Sequence, residues 1–259
     1  MRTAYLDHPG PIPLAHRGFS RDGLENSMAA FAAAVDLGMR YVETDVHATL
    51  DEVVVAFHDQ SLDRVTDRTG KITALRWREV SGARIGGTEP VPTLEDLLGT
   101  WPHLRVNIDI KSPGAITPTV RVIERTRAHD RVCVASFSDD RRRRALQRLS
   151  RPVVTSAGQR TGAFFRLAAT APPRLRDRLV ARALSGVDGL QLPVSHQGIP
   201  LVTRQTVAAA HAAGAFVHVW TINDSSEMHR LLDLGVDGLV SDRSDLLREV
   251  LVERGQWPG

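Results

Sequence analysis

Residues 12–47 read IPLAHRGFSRDGLENSMAAFAAAVDLGMRYVETDVH, and this stretch decides the fold. Ile12–His16 and Tyr41–His47 are runs of strand type, and the alanine-rich Ser27–Leu37 between them has helical spacing. Gly38 follows the helical run, where a left-handed helix end favours glycine. Because two parallel strands need a long crossover connection, this unit predicts a parallel sheet.

The same alternation of strand and helix continues along the chain. About eight such units in 259 residues predict an α/β protein, a closed (β/α)8 TIM barrel. An open doubly wound sheet is the alternative, which the lack of a GxGxxG loop after the first strand disfavours. The further strand candidates are Val53–Phe57, Leu104–Ile110, Arg131–Phe137, Val153–Ser156, Gly189–Leu192, Phe216–Ile222 and Gly238–Ser241. The further helix candidates are Thr117–Arg127, Asp139–Leu149, Thr203–Ala213, Ser225–Leu234 and Leu246–Arg254, with a loop over Ala168–Pro173.

Residues 60–92 interrupt this rhythm, because they carry many turn residues and no clear strand–helix unit. We interpret them as a small insertion after the second strand region. The insertion is expected to cover one end of the barrel within a single domain that spans residues 1–259.

Composition narrows the class of protein. The chain is 42% hydrophobic and 24% charged, which predicts a sizeable buried core, and its net charge is only +3. No segment approaches the ~20 apolar residues of a membrane span, and the N-terminus has no apolar stretch of signal-peptide length. We therefore expect a cytoplasmic protein with no stable membrane insertion and no nucleic-acid partner, while the oligomeric state stays open. The run Arg141–Arg144 is interpreted as a solvated helix face, with contact to anionic lipid or phosphate as the alternative.

Carboxylates gather at two predicted strands. Strand side chains alternate, so Glu43 and Asp45 share one face, and Asn107, Asp109 and Lys111 share another. Such carboxylates would repel one another at one barrel mouth unless a cation lay between them. An all-oxygen ligand set suits magnesium or calcium better than zinc.

Two histidines and two cations complete a set that could cleave phosphodiesters. His16 and His58 fall at strand ends and can transfer protons near neutral pH. Arg17 can bind phosphate with two hydrogen bonds, and Lys111 can hold a phosphate oxygen. Each motif alone is weak, and their joint occurrence at successive strand ends carries the prediction.

These motifs, in this order, resemble the glycerophosphodiester phosphodiesterase family over nearly the whole chain. Leu62, Arg64, Thr66 and Gly70 match the pattern of the family's small insertion. The other matching motifs are His16-Arg17-Gly18, Glu25-Asn26-Ser27, Glu43–Val46, His58-Asp59, Pro92-Thr93-Leu94, Asn107–Lys111, Val219–Asn223 and Asp237–Asp242.

The resemblance implies a TIM barrel that hydrolyses glycerophosphodiesters to sn-glycerol 3-phosphate and an alcohol, with one divalent metal, Mg²⁺ or Ca²⁺. It also implies a role for each matched position. The implied metal ligands are Glu43, Asp45 and Asp109, the acid–base pair is His16 and His58, and the substrate-binding residues are Arg17, Lys111, Gln191 and Trp220. The family often has glutamate where this chain has Asp109, which puts the metal preference in question more than the reaction.

Two other functions stay open. One is a phospholipase D-like lyase on the same barrel that acts on lysophospholipid and leaves a cyclic phosphate. The absence of an obvious apolar lipid-entry segment favours the small-molecule glycerophosphodiester. The other is a non-catalytic barrel that binds phosphorylated ligands, which a missing histidine or carboxylate would favour.

Overall fold

The computed structural model describes residues 3–20 and 23–257, and within them eight parallel strands form a nearly closed barrel. The strands are β1 (Ile12–His16), β2 (Tyr41–Ala48), β3 (Arg105–Ile110), β4 (Val132–Ala135), β5 (Val154–Thr155), β6 (Gly189–Pro193), β7 (Phe216–Trp220) and β8 (Gly238–Ser241). They follow one another around the barrel in chain order, and β1 pairs with β8 from Ile12 opposite Gly238 onward. A bridge between Ser156 and Gly189 joins the β5 and β6 edges. The predicted barrel is therefore confirmed, and the open doubly wound alternative is wrong.

Helices connect the strands, and side chains cap several of them. They are α1 (Met28–Asp36), α2 (Leu94–Thr100), α3 (Ile116–Arg125), α4 (Asp139–Leu146), α5 (Gln159–Ala169), α6 (Pro173–Ala183), α7 (Arg204–Ala212), α8 (Ser225–Asp233) and α9 (Ser244–Glu253). Ser27 accepts a hydrogen bond from the Ala30 amide at the start of α1, and Thr93 and Asp96 form a capping box on α2. Each cap satisfies amide groups that have no partner inside the helix. Among the described residues, no helix has the length and apolar character that crossing a bilayer requires.

Three local expectations are only partly correct. The strand predicted at Val53–Phe57 is Val54–Ala56, which pairs antiparallel with the end of β2 and is no part of the barrel. The loop predicted at Ala168–Pro173 covers only the short link between α5 and α6. The run Arg141–Arg144 is not one solvated face, because successive helix residues point in different directions and Arg142 is buried.

Residues 57–93 leave the barrel at the C-terminal end of β2 and pack around a hydrophobic cluster of their own. This segment contains the short helix Trp77–Val80 and the antiparallel pair Arg84–Ile85 and Glu89–Pro90. Its cluster includes Phe57, Leu62, Ile72, Val80, Ala83, Ile85 and Val91. The segment lies at the predicted insertion, whereas the single-domain assignment stays a prediction.

The barrel interior changes from apolar to polar along the strands. On β1, Ile12 and Leu14 join an apolar cluster, and His16 follows at the C-terminal end. On β2, Tyr41 belongs to the same cluster, and alternation then places Glu43 and Asp45 above it. The polar side chains therefore gather at the C-terminal mouth, where barrels of this type carry their active sites.

Candidate active site

His16, at the end of β1, lies between two carboxylates. Its Nδ1 is 2.6 Å from Asp242 Oδ1, and its Nε2 is 3.8 Å from Glu43 Oε2. Asn223 fixes Asp242 by donating from Nδ2 to Oδ2 at 2.7 Å and by accepting from the Asp242 amide at 2.9 Å. Burial lowers the pKa of His16, but the Asp242 hydrogen bond and the Glu43 charge outweigh it and raise the pKa overall. The imidazole therefore has a fixed orientation and a stabilised cationic form.

The turn after His16 brings Arg17 into the mouth. Arg17 has φ 56° and Gly18 has φ 83°. A Cβ on Gly18 would lie 2.7 Å from the Ala30 backbone carbon, so this turn requires glycine. Arg17 Nη1 donates to Glu25 Oε1 at 2.9 Å, and its Nε lies 3.2 Å from Asp45 Oδ2. The guanidinium is thus held beside the carboxylates of the barrel.

Lys111 lies between two buried carboxylates on neighbouring strands. Asp45 on β2 and Asp109 on β3 are direct neighbours in the register of the two strands. Lys111 Nζ is 2.8 Å from Asp45 Oδ1 and 2.8 Å from Asp109 Oδ2. Burial lowers the pKa of Lys111, but the charges of Asp109 and Asp45 outweigh it and raise the pKa overall. Lys111 therefore serves as a permanent cation inside the mouth.

The three carboxylates at the mouth differ in their electrostatics. Burial and the neighbouring charge of Asp45 raise the pKa of Glu43. Burial also raises the pKa of Asp109, against the opposing charge of Lys111. Burial acts in the same direction on Asp45, but Lys111 and Arg17 outweigh it and lower the pKa of that carboxyl. More negative charge is therefore buried here than the nearby cations stabilise.

The residue types present at the mouth fit a hard divalent cation. Asp45 Oδ2 and Asp109 Oδ1 are buried and have no aligned hydrogen-bond partner in the described chain, so each keeps an acceptor for a cation. Among residues 3–20 and 23–257, however, no group of three or more acidic, histidine or cysteine side chains has the arrangement of a metal site. Lys111 occupies the space between two of the three predicted ligands.

His58 follows the short strand Val54–Ala56, and the amide of the preceding residue, Phe57, donates to the carbonyl of Asp45 at 2.8 Å, which brings His58 beside the mouth. Its Nδ1 is 2.6 Å from Asp59 Oδ1, so this histidine is also oriented by a carboxylate. Arg64 fixes Asp59 by donating from Nε to Oδ2 at 2.6 Å, and this bond lowers the pKa of Asp59 to about 2. The Nη2 of Arg64 also donates to Glu25 Oε1 at 2.7 Å. A chain of ion pairs thus runs from His58 through Asp59, Arg64 and Glu25 to Arg17.

Gln191 lies in the middle of β6, and Trp220 is the last residue of β7. Gln191 Oε1 accepts from Ser156 Oγ at 3.0 Å and from Asn107 Nδ2 at 3.4 Å, while its buried Nε2 has no partner in the described residues. Trp220 packs edge-on against Phe137 with ring centroids 5.8 Å apart. Lys111 Nζ lies 5.2 Å from the same Phe137 ring. Gln191 thus offers an amide donor, and Trp220 and Phe137 form an aromatic wall, beside the charged side chains of the mouth.

Sequence reasoning assigned no role to several residues that complete the site. Asp242, Asn223, Asp59 and Glu25 appeared only as parts of family motifs, and Phe137 did not appear as a site residue. Their place in family motifs was the available sequence signal. Asp242, for example, is 226 positions from His16 along the chain. Strand periodicity cannot reveal a partner at such a distance.

A family model matches this assembly. The match covers residues 16–246 and describes the glycerophosphoryl diester phosphodiesterase family. The chain belongs to that family. The resemblance read from the motifs is confirmed, and the chain is an enzyme whose reaction class is the hydrolysis of glycerophosphodiesters.

Similar proteins agree with this membership. A Mycobacterium tuberculosis protein named probable glycerophosphodiester phosphodiesterase 2 is 49% identical over 98% of this chain and 96% of its own length. The structure of an Oleispira antarctica phosphodiesterase in complex with the product sn-glycerol-3-phosphate matches with a TM-score of 0.76 and 25% identity. The match covers 94% of this chain and 97% of that one. The crystal structure of a glycerophosphodiester phosphodiesterase from Agrobacterium tumefaciens shares the fold, with a TM-score of 0.72 and 22% identity over 93% and 99% of the two chains.

Proposed function

We propose that this chain hydrolyses glycerophosphodiesters to sn-glycerol 3-phosphate and an alcohol, with His16 and His58 as the acid–base pair. The observation that carries the proposal is the matched setting of the two imidazoles. The Nδ1 of His16 is 2.6 Å from an oxygen of Asp242, and the Nδ1 of His58 is 2.6 Å from an oxygen of Asp59. This bond places a proton on Nδ1 and leaves Nε2 for exchange with the substrate.

The substrate itself supplies the nucleophile in this proposal. The glycerol 2-hydroxyl lies next to the phosphoester, and one histidine removes its proton while the other protonates the departing alcohol. The 2-oxygen forms a bond to phosphorus as the bond to the alcohol oxygen breaks, which gives a cyclic phosphate. Water then opens the ring with the two proton transfers reversed. The intramolecular step benefits from proximity, with effective molarities that reach ~10⁵ M or more.

Cationic side chains would hold the phosphate during both steps. Arg17 is fixed by Glu25 and Asp45, and Lys111 is fixed by Asp45 and Asp109, so both cations are positioned before substrate arrives. Such preorganised charges stabilise the negative oxygens of the transition state without reorganisation. We place Trp220 on the glycerol side and Gln191 as a donor to substrate through its unpartnered Nε2.

Glu43, Asp45 and Asp109 would hold one divalent metal, Mg²⁺ or Ca²⁺, in the same mouth. A bound cation would offset the excess negative charge and polarise the phosphoryl oxygens. Support comes from the buried Asp109 Oδ1, which has no partner in the described residues, from Asp45 Oδ2, which accepts no aligned hydrogen bond beside Arg17, and from the oxygen-only chemistry of the three side chains. Chelation should abolish turnover, and added Mg²⁺ or Ca²⁺ should restore it. Full activity in metal-free protein would contradict this part of the proposal.

A change of leaving group separates the two histidines. With glycerophosphocholine, His16→Ala and His58→Ala should each lower turnover by about 10²–10⁴-fold. With a p-nitrophenyl glycerophosphodiester the leaving group needs no proton, so the variant that lacks the general acid should recover and the other should not. His103→Ala, at an exposed position, is the matched control. Near wild-type turnover by either variant with glycerophosphocholine would remove that histidine from the mechanism.

An analogue without the 2-hydroxyl tests the nucleophile. If the analogue binds but is not cleaved, the intramolecular route is supported. Cleavage at the normal rate would replace that route with direct attack by water.

A lyase that releases a cyclic phosphate from lysophospholipid is the second candidate. A specific observation favours it, because the apolar side chains of Phe164 and Leu167 on α5 are exposed. The sequence alone did not indicate this exposure. Phosphorus NMR of the products distinguishes the two, since hydrolysis ends in a phosphomonoester and the lyase ends in the cyclic diester. The non-catalytic alternative is set aside because the chain is an enzyme of this family. The cytoplasmic location stays a prediction.

A further inference from the structure

The α5–α6 hairpin, residues 159–183, exposes large apolar side chains that the proposed reaction does not use. On α5, Phe164 is 69% exposed and Leu167 is 70% exposed; on α6, Leu175 is 54% and Leu179 is 40% exposed. Spacings of three and four residues put each pair on one side of its helix. The opposite side of α5 enters the core through Phe165. The fold therefore does not gain the favourable free energy that burying these four side chains would provide.

Helix α5 stays at the C-terminal end of the barrel, on the same side as the active site. It begins just after β5, and its Arg166 Nε donates to the carbonyl of Pro200 at 3.1 Å. At its other end, the carbonyl of Ala169 accepts from Gln205 Nε2 at 2.8 Å. Pro200 and Gln205 both lie between the end of β6 and the first turn of α7. The exposed apolar side chains of α5 thus belong to the rim of the mouth.

The same hairpin carries an unbalanced positive charge. Residues 159–184 contain six arginines and one acidic residue, Asp177. Four of the arginines are exposed and form no ion pair with any residue in 3–20 or 23–257; they are Arg160, Arg174, Arg178 and Arg182. On the helix of residues 116–125, by contrast, exposed arginines are paired with acidic side chains, Arg121 with Glu52 and Arg125 with Glu95. Unpaired exposed arginines also occur singly on other helices of the described chain, such as Arg144 and Arg204, but the hairpin gathers four of them beside a single acidic residue.

We propose that the α5–α6 hairpin docks the protein on an anionic lipid bilayer. Apolar side chains flanked by arginines match the chemistry of helices that lie in a membrane interface, with the arginines on headgroup phosphates and the apolar groups at the acyl boundary. Each arginine close to the membrane surface strengthens binding to anionic lipid by about fivefold. Docking would hold the mouth against the bilayer without any segment crossing it.

The charge of the hairpin favours a bilayer over a second copy of the chain as its binding partner. A two-fold dimer would bring identical patches together, so unpaired arginines would face arginines. An anionic bilayer supplies the missing negative charge on a broad surface. An acidic protein partner is a different outcome of the test.

Vesicle flotation measures the docking directly and does not depend on turnover. Full-length protein is floated with phosphatidylcholine vesicles that either contain or lack phosphatidylglycerol. Binding should require phosphatidylglycerol and should weaken as salt screens the charges. Arg178→Gln/Arg182→Gln should weaken binding by about 25-fold, from about fivefold per arginine. Phe164→Ser/Leu167→Ser should weaken it by about tenfold or more.

Matched controls use exposed side chains on other parts of the surface. Arg78→Gln/Arg144→Gln removes two exposed arginines outside the hairpin, and Leu50→Ser/Val252→Ser removes two side chains that are 57% and 53% exposed. Both controls should bind vesicles like the wild type. All four double variants should keep wild-type turnover of glycerophosphocholine, which separates docking from the proposed reaction.

Three results would overturn the docking proposal. The first is no binding to phosphatidylglycerol vesicles at low salt. The second is equal binding by hairpin and control variants, which would place the lipid contact elsewhere. The third is a dimer that Phe164→Ser/Leu167→Ser dissociates, together with a lack of vesicle binding, which would make a second copy the occupant.

Discussion

Acidification should destabilise this protein through one buried histidine, His218 of β7. His218 is fully buried, and neither of its ring nitrogens has a hydrogen-bond partner in the described part of the chain. The Phe216 ring packs against it with centroids 4.3 Å apart. Burial lowers the pKa of His218 from 6.5 to about 4, against a raising effect of Asp237. The folded protein therefore keeps this imidazole neutral where an unfolded chain would protonate it.

The size of the effect follows from the two pKa values. Between pH 6.5 and about 4, the unfolded chain binds a proton that the folded chain does not, so stability falls as the pH falls. The window is about 2.5 pH units wide, and each unit is worth about 1.4 kcal/mol, so the loss reaches about 3 kcal/mol. Other titratable groups line the same cavity of about 620 Å³ at the N-terminal end of the barrel, including His8, Asp188, His211 and Asp237. Asp237 is already bound to His211 Nε2 at 2.8 Å.

Urea denaturation of wild type and His218→Gln at several pH values isolates this contribution. Glutamine does not titrate, so the difference in unfolding free energy between the two proteins should change by about 3 kcal/mol from pH 7 to pH 4. Contributions of other groups cancel in that difference. His103→Gln, at an exposed site, should follow the wild-type curve. If His218→Gln loses stability in parallel with the wild type, the assignment to His218 is wrong.

Three further predictions concern the active site and its supporting turn. Asp242→Asn should lower turnover by about 10²-fold because His16 loses its orienting carboxylate, while Asp140→Asn, at an exposed position, should not, as steady-state kinetics will measure. Lys111→Met should lower kcat more than it raises KM, because the charge that Lys111 offers is needed most in the transition state; a rise in KM alone would indicate simple substrate binding. Gly18→Ala should lower the free energy of unfolding by about 1–3 kcal/mol, since φ is 83° and the new methyl would meet the Ala30 backbone; an unchanged urea midpoint would contradict this.

Periodicity was sufficient to predict the parts of the site that lie on single strands. Alternation along β2 and β3 predicted that Glu43 and Asp45, and likewise Asp109 and Lys111, share faces. It could not predict that Lys111 lies between Asp45 and Asp109, because that depends on the register between strands. Long-range partners such as Asp242 were marked only by the family motif.

The helices α5 and α6 escaped prediction for a physical reason. Helical patterns are recognised when apolar residues fall on the buried face and polar residues on the exposed face. Here Phe164 and Leu167 are exposed, so the pattern of α5 does not separate the two faces. The strand at Val54–Ala56 was recognised, but its antiparallel direction depends on the chain turning back at Thr49–Val53, where two hydrogen bonds close the turn.

The hydrophobic cluster of residues 57–93 is separate from the cluster that joins the barrel to its helices. Arg64 belongs to this segment and reaches the mouth through Asp59 and Glu25. Substitutions in the segment outside His58 and Asp59 can therefore alter one wall of the mouth without repacking the barrel that carries His16 and the carboxylates. Over evolutionary time, this wall of the mouth can therefore diverge in sequence while the packing of the barrel core is preserved.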